Sequence, residues 1–439
     1  MKPICVLAPL VLALSIVCPG QTESASGLDP GHAAPPLSAA EAVAEALQAN
    51  PEIRAAVRRL SLAQLKTGTA HSLDDPMLMM RDWDTPLRKP WDLNQAQLMV
   101  SLQQTFPDRQ KRDLRAKLAE QDASVAAIDL ETLRLTVSAE VRKLCAELMR
   151  NADEIKLQDR QASLLKEALD AALAKYTAGK VSEADVLRAQ MALTRLNERL
   201  IELEAEGDSA RAQLNVLRGN SPDEAIEIAG SYSSPASLPA IEELERIAIE
   251  HRPELAGLRA QVAKSRDEGN LARLATKPDF TVGFGYMLMP AGSMARNAYM
   301  AELSMNLPQL NRERHDGEVK QADAATDVSQ AELQARASTV FLEVRLAQIE
   351  LLAAEKRVKL YRDTLLPQAE ASFKASAAAY QNNRAEFASL IDAQNLLLEI
   401  QTVYYRASAA TDEGAAQLER AIGAPIASTA SNGTERKSR

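Results

Sequence analysis

The apolar positions along this chain keep two different periods in different stretches. From 108 to 178 there is no glycine and no proline, and Leu130, Leu133, Val137, Val141, Leu144 and Leu148 recur at spacings of three and four. That spacing lays one stripe along one helix. About 70 helical residues at ~1.5 Å each reach ~100 Å. After a turn, Leu193, Leu196, Leu200, Leu203, Ala210, Leu214 and Leu217 follow heptads, with Gly207 in a seam slot, over a second helix at 181–218. Such a seam packs one helix on another, as in coiled coils. In the second half the spans Glu318–Leu366 and Gln368–Glu413 repeat this with Pro367 between them. They belong to a long helix placed over 311–380 and a return helix over 385–422.

Between the helices the period changes to two. In "DFTVGFGYMLM" Phe280, Val282, Phe284, Tyr286 and Leu288 share one face, and Thr281, Gly283, Gly285, Met287 and Met289 share the other. In "YMAELSMNL" Tyr299, Ala301, Leu303, Met305 and Leu307 oppose Met300, Glu302, Ser304 and Asn306. "QLMVSLQQTF" alternates in the same way and "PMLMMRDW" more weakly. These are the strands of two hairpins, at about 76–106 and 279–307. Trp83, Trp91, Tyr286 and Tyr299 are the aromatic residues that could sit at a lipid–water boundary. The alternation alone leaves open whether the hairpins meet lipid or cap the helices in water.

The whole order occurs twice. "KYTAGKVSEADVLRAQ" from Lys175 aligns with "AYQNNRAEFASLIDAQ" from Ala379 at an offset of 380 − 176 = 204, pairing Tyr176 with Tyr380 and Gln190 with Gln394. The same offset carries Gly219 onto Gly423. Asn50-Pro51-Glu52-Ile53 matches Arg252-Pro253-Glu254-Leu255, and Pro107 matches Pro308. The domain reading is therefore a first repeat over 37–219, a linker over 220–237, a second repeat over 238–424 and a disordered polar tail over 425–439.

Residues 1–26 read as a secretory signal peptide: Lys2, an apolar run from Ile4 to Val17, then small residues. Cleavage fits near Gly20 or Ser26, with lipidation of Cys18 as the rival although Val17 is not small. A linker follows at 27–36. The mature chain is thus exported, and no later segment is apolar enough for a transmembrane helix. Aromatic residues are 4% of the chain, a composition of long helices. A net charge of −9 argues against a nucleic-acid partner. After the N-terminus Cys145 is the one remaining cysteine, the histidines are scattered, and no phosphate loop, nucleophile elbow or Cys/His metal set appears. Neither an enzyme nor a cofactor is expected. If the strands do meet lipid, about four per chain cannot close a barrel, so several chains must share one.

The duplicated order of helix, hairpin, long helix, tyrosine turn and helix resembles the outer-membrane efflux protein (TolC) family, closest to its heavy-metal branch. The resemblance spans about Leu37 to Ala424 and is carried by "DVLRAQ" and "LIDAQ", the Pro-Glu helix starts and the junctions at Pro107 and Pro308. It implies a mainly α fold in which antiparallel coiled-coil helices form a periplasmic tube. Two hairpins per chain would then contribute to a trimeric barrel of 3 × 4 = 12 strands in the outer membrane of a Gram-negative bacterium. Implied partners are two further copies, a periplasmic adaptor (membrane fusion) protein, an inner-membrane pump of the resistance-nodulation-division type, and outer-membrane lipid.

The same resemblance assigns the turns to adaptor contact through Tyr176, Gly179, Lys180, Tyr380, Asn383 and Arg384. It places Asp392 at a narrow aperture, with Arg188, its counterpart in the first copy, as a pairing partner. The family's second acidic position is Ser389 here, and a plain solvated surface is the competing reading of Asp392. Nine of the twelve methionines lie in or beside the hairpins. The alternation puts Met99, Met287, Met289 and Met300 on the polar face, which in a barrel is the lumen. Thioethers there either bind a soft metal or fill space. The functional expectation is a passive exit duct of a tripartite efflux pump. An exported coiled-coil scaffold or an adaptor-like protein is the alternative.

Overall fold

The computed structural model describes residues 36–83, 97–179, 181–232, 238–289, 297–382 and 384–426. The expected signal peptide, the linker as far as residue 35, and Trp91, Lys180, Met294 and Asn383 lie outside them. The first half runs α1 (Ala39–Ala49), α2 (Pro51–Ala70), β1 (Met77–Trp83), β2 (Gln97–Phe106), α3 (Arg109–Thr177) and α4 (Glu183–Leu217). The second runs α5 (Ile241–His251), α6 (Pro253–Leu274), β3 (Phe280–Leu288), β4 (Asn297–Met305), α7 (Arg312–Leu360), α8 (Leu366–Gln381) and α9 (Phe387–Ile422).

Local chemistry explains the helix starts. Asn50 ends α1 and caps α2, its side-chain oxygen accepting from the N–H groups of Glu52 and Ile53, while Pro51 supplies a preset φ. Ser38 and Glu41 form a capping box on α1. Arg252 stands where Asn50 does and does a different job: fully buried, it pairs with Glu254 and Glu343.

The long helix placed over 311–380 runs through Pro367. The chain stays helical from α7 into α8 by widening to a π-helical turn over Tyr361–Leu365 just before the proline. Proline has no N–H to donate and its ring crowds the carbonyl four residues back, and a widened turn relieves both. The start of the tail differs from its expected disorder. Gly423 adopts φ +73, the chain turns back, and Ile426 is buried among Leu244, Leu255, Leu418 and Ile422. Residues 427–439 lie outside the described ones. The segment after α4 is tied down too: Leu37 pairs with Ile228, and the Tyr232 hydroxyl donates to Asp153 at 3.0 Å.

The long helices lie side by side. α3 packs against α4 and also against α9, and α9 packs in turn against α7. α2 and α6 run alongside α3, and α6 also contacts α7. Ile53, Leu130, Val137, Val141 and Leu144 bury against Ala210 and Leu214, and Leu244, Leu255, Val340, Val344 and Leu351 do the same against Leu418 and Ile422.

All four strands form one antiparallel sheet in the order β1-β2-β3-β4, so the two halves join at the β2–β3 pair, Phe106 beside Phe280 and Met99 beside Met287. The junction is held by Lys111, which is buried and donates to Asp279 at 2.8 Å and to the Lys277 carbonyl at 2.7 Å. On one face Leu78, Met80, Leu102, Phe280, Val282, Phe284, Tyr299 and Leu303 are exposed, while Met99, Ser101 and Gln103 on the other are buried. Among the described residues no helix is long and apolar enough to cross a membrane.

Candidate functional site

The two helix turns hold most of the residues singled out by the sequence. α3 ends through Ala178, after which Gly179 takes φ +66 and donates its N–H to the Tyr176 carbonyl at 2.9 Å. A Cβ at Gly179 would touch nothing within 4 Å, so the left-handed backbone is what favours glycine. α4 then starts from Ser182, whose N–H and hydroxyl both donate to the Asp185 carboxylate. In the second turn Arg384 donates its N–H to the Ala379 carbonyl at 2.8 Å, and Asn382 covers the Ala378 carbonyl with its side-chain amide. Both turns use bonds of the Schellman type, which satisfy carbonyls a helix end leaves open.

The turn tyrosines occupy different surroundings. Tyr176 is 44% exposed and Tyr380 only 9%. The Tyr380 ring meets Phe387 edge-on at 5.5 Å, and Lys175 Nζ sits 3.9 Å above its face. Both rings belong to an apolar cluster with Leu165, Ala172, Val186 and Leu390, where one helical hairpin meets the other. The Tyr380 hydroxyl is buried without a hydrogen-bond partner.

Arg384 and Asp392 are exposed. Within one chain Arg188 pairs with Asp185, one turn back on α4, at 3.4 Å. Among the described residues no ion pair reaches Asp392, so a single chain does not bring Arg188 and Asp392 together.

Above the turns lies a set of residues that the apolar stripe did not reveal. Asn151, Glu154, Gln158 and Gln161 continue the spacing of α3 toward Leu165, and all are buried. Gln161 bonds Gln394 of α9 at 3.1 Å. Glu154 is fully buried and accepts from Arg150 at 3.1 Å, Arg199 of α4 at 3.2 Å and Arg406 of α9 at 3.0 Å. Burial alone would raise its carboxyl pKa. The guanidiniums, Arg406 foremost, more than offset this and hold it below the usual carboxylate range. The signal available in the sequence was the three-four spacing itself, which runs on past Leu148 through polar residues.

On the sheet, Met99, Met287 and Met300 share the buried face in register, and Met289 follows the end of β3, half-buried. Met79 of β1 joins that face opposite Ser101. The opposite face carries an aromatic patch: Tyr299 stacks on Phe284 at 6.1 Å and meets Tyr286 edge-on at 5.7 Å.

Residues 42–220 and 244–424 match the family described as outer membrane efflux protein. The chain is 25% identical over 422 residues to the cobalt-zinc-cadmium resistance protein CzcC of Cupriavidus metallidurans, covering 94% of this chain and 98% of that one. Its fold is similar to that of the outer-membrane channel OprN (TM-score 0.75, 17% identity, 88% of this chain and 90% of that one). It is also similar to CusC, a protein described as forming a transmembrane channel (0.74, 14%, 88% and 92%), and to VceC of Vibrio cholerae (0.73, 18%, 88% and 96%).

Proposed function

Because the chain belongs to the outer membrane efflux protein family, we propose that it is the exit duct of a tripartite pump, passing metal ions or small molecules from the periplasm to the exterior without an energy source of its own. Members of this family are channels of the outer membrane with a large periplasmic helical portion, not enzymes.

The sheet is the observation that carries the reading. Among the described residues each chain has four strands, with an apolar exposed face and two open edges, β1 and β4. Lipid tolerates no open edge, and bacterial barrels start at about eight strands. Three copies closing 3 × 4 = 12 strands satisfy both limits. The helices support the same assembly. Leu187, Met191 and Ile201 are exposed on α4, and Leu342, Leu346 and Ile349 on α7. These are the two outermost of the long helices, where a neighbouring copy would cover them. The 69 residues of α3 reach ~100 Å, a periplasm-scale tube.

In this reading the turns form the far mouth. Tyr176, Gly179, Lys180, Tyr380, Asn383 and Arg384 meet a membrane-fusion adaptor, and a resistance-nodulation-division pump supplies energy. Asp392 lines the aperture, and Arg188 of a neighbouring hairpin is its pairing partner on assembly. The resistance named for the relative CzcC supports divalent metal ions as cargo. Membrane fractionation should find the protein in the outer membrane, and mild detergent should release a trimer. A soluble periplasmic monomer would end this reading. Cells lacking it should become sensitive to cobalt, zinc or cadmium before they become sensitive to drugs.

A further inference from the structure

The two open edges of the sheet carry opposite charges on the same face, and we propose that Arg81 on β1 of one copy pairs with Glu302 on β4 of the next, an ion pair that fixes the register at each seam between copies. That such seams exist rests on the trimeric barrel proposed above. Which residues meet there rests on the strand register.

In one chain a row of direct partners runs Met77, Gln103, Gly283, Glu302 across the four strands, and Arg81 stands opposite Met99 further along β1. Side chains alternate along a strand, so Arg81, Met77, Gln103 and Glu302 share the face whose centre is buried. Arg81 and Glu302 lie on opposite edges, three strand spacings or about 14 Å apart before any offset along the strand is added. They do not meet within a chain. Arg81 is exposed, and among the described residues no ion pair reaches it. Glu302 is half-buried. Its Oε2 accepts from the Gln103 amide at 3.0 Å, and among the described residues its other oxygen has no partner. A charge on a bare strand edge discourages pairing with a wrong chain. The right chain is the one that supplies the counter-charge.

The slip between strands picks the partner. The middle of β1 is Met80, whereas the middle of β4, Ala301, shares its row with Phe284, Leu102 and Leu78. Crossing the chain from β1 to β4 therefore moves mid-strand by 80 − 78 = 2 residues toward the start of β1. Closed barrels tilt their strands by about 35–45°. At ~3.4 Å per residue and ~4.8 Å between strands, that tilt is a slip of roughly 1.0–1.4 residues per strand. Over the four steps from one β1 to the next the slip is roughly four to six residues, and only an even slip keeps each face on its own side. A slip of about four in the direction already set seats Arg81 of the next copy directly opposite Glu302. A slip of about six seats Trp83 there and puts Arg81 opposite Ser304, diagonal to Glu302. Direct cross-strand partners lie about 5 Å apart and diagonal ones about 7–8 Å, so the arginine reaches the carboxylate in either case.

The test is a charge exchange in the full-length protein, purified as assembled in mild detergent. Arg81→Glu alone, or Glu302→Arg alone, sets like charges across every seam. Each should lower by several degrees the temperature at which the trimer separates into monomers. Arg81→Glu combined with Glu302→Arg should recover most of that loss. A role confined to one chain gives no such recovery, because the two side chains do not meet there. Single variants that leave the temperature unchanged, or a double exchange whose losses simply add, overturn the pair. Cysteines decide the matter if the reversed charges prevent assembly. With Arg81→Cys and Glu302→Cys together, a bismaleimide spanning about 8 Å should bridge copies into covalent dimers and trimers. Either cysteine alone should give none, and Cys145 is buried and common to all three variants. No bridging in the assembled protein overturns the pair. The two readings fail separately: a wild-type trimer whose variants neither respond to the exchange nor bridge loses the pair and keeps the exit duct, whereas a wild type recovered as a soluble monomer loses the duct and the pair with it.

Discussion

Tyr176 and Tyr380 hold the same place in the two repeats, as do Gln190 and Gln394, yet the first of each pair is exposed and the second buried. Leu187 is exposed where Ile391 is buried. The turns themselves agree. So do Gly219 and Gly423, at φ +76 and +73, each pressed on a backbone carbonyl at the end of the short helix that opens its repeat. Backbone requirements are met within a few residues, so a duplicated sequence reproduces them. Side-chain surroundings depend on what lies alongside, and there the copies differ: α9 is flanked by α3 and α7, whereas α4 leans mainly on α3. A repeated sequence has therefore produced one inner hairpin and one edge hairpin.

The strongest way to break that difference is at the hub that ties α9 to the first hairpin. Glu154→Ala leaves the guanidiniums of Arg150, Arg199 and Arg406 facing one another and should cost about 3 kcal/mol in a urea melt at pH 7. The folded pKa of Glu154 lies below its unfolded value near 4.5. Its contribution is therefore complete above that value and lost as pH falls through the lowered one. The gap between wild type and variant should narrow toward acid. A gap that stays constant would remove Glu154 as the source.

Next comes the tyrosine pair. Tyr380→Ala empties a buried ring site between the hairpins and should destabilise the tip by about 2–3 kcal/mol. Tyr176→Ala at the surface should stay within about 0.5 kcal/mol. Hydrogen exchange across the α8–α9 turn reads this directly, and equal effects would erase the inner–edge distinction.

Smaller in stability but larger in function is Asp392→Ala. Exposed in one chain, it should leave folding intact and raise the closed-state conductance of the trimer in planar bilayers. An unchanged conductance assigns Asp392 to plain surface. Smallest of all in stability is the pair Lys180→Glu with Arg384→Glu, expected within about 0.5 kcal/mol because turn charges are cheap to exchange. Trimer yield should hold while adaptor crosslinking and efflux fall. Normal efflux in a normally assembled double variant would take these charges out of the docking surface.

Helix and strand identity were legible because each is written in a short-range period, three to four residues for α3 and two for β3. The mainly helical fold and the strand shortage followed from those periods together with length. Gln394 was visible as a repeated position, but not as half of a buried pair with Gln161. The stripe on α3 was read only where it was apolar, so Glu154 was not singled out.

What the residues settle unaided is therefore local: turns at Gly179 and Gly423, a capped start at Asn50, alternation along Phe280–Leu288. Only the tertiary structure decided that β2 pairs with β3 across the two halves, that Met79 joins Met99, Met287 and Met300 on one face, that Pro367 is absorbed by a widened turn, and that Tyr380 is inside while Tyr176 is out. Each of these depends on which element lies alongside another. Neighbours distant in sequence set burial and register, and no periodicity within a single segment contains them.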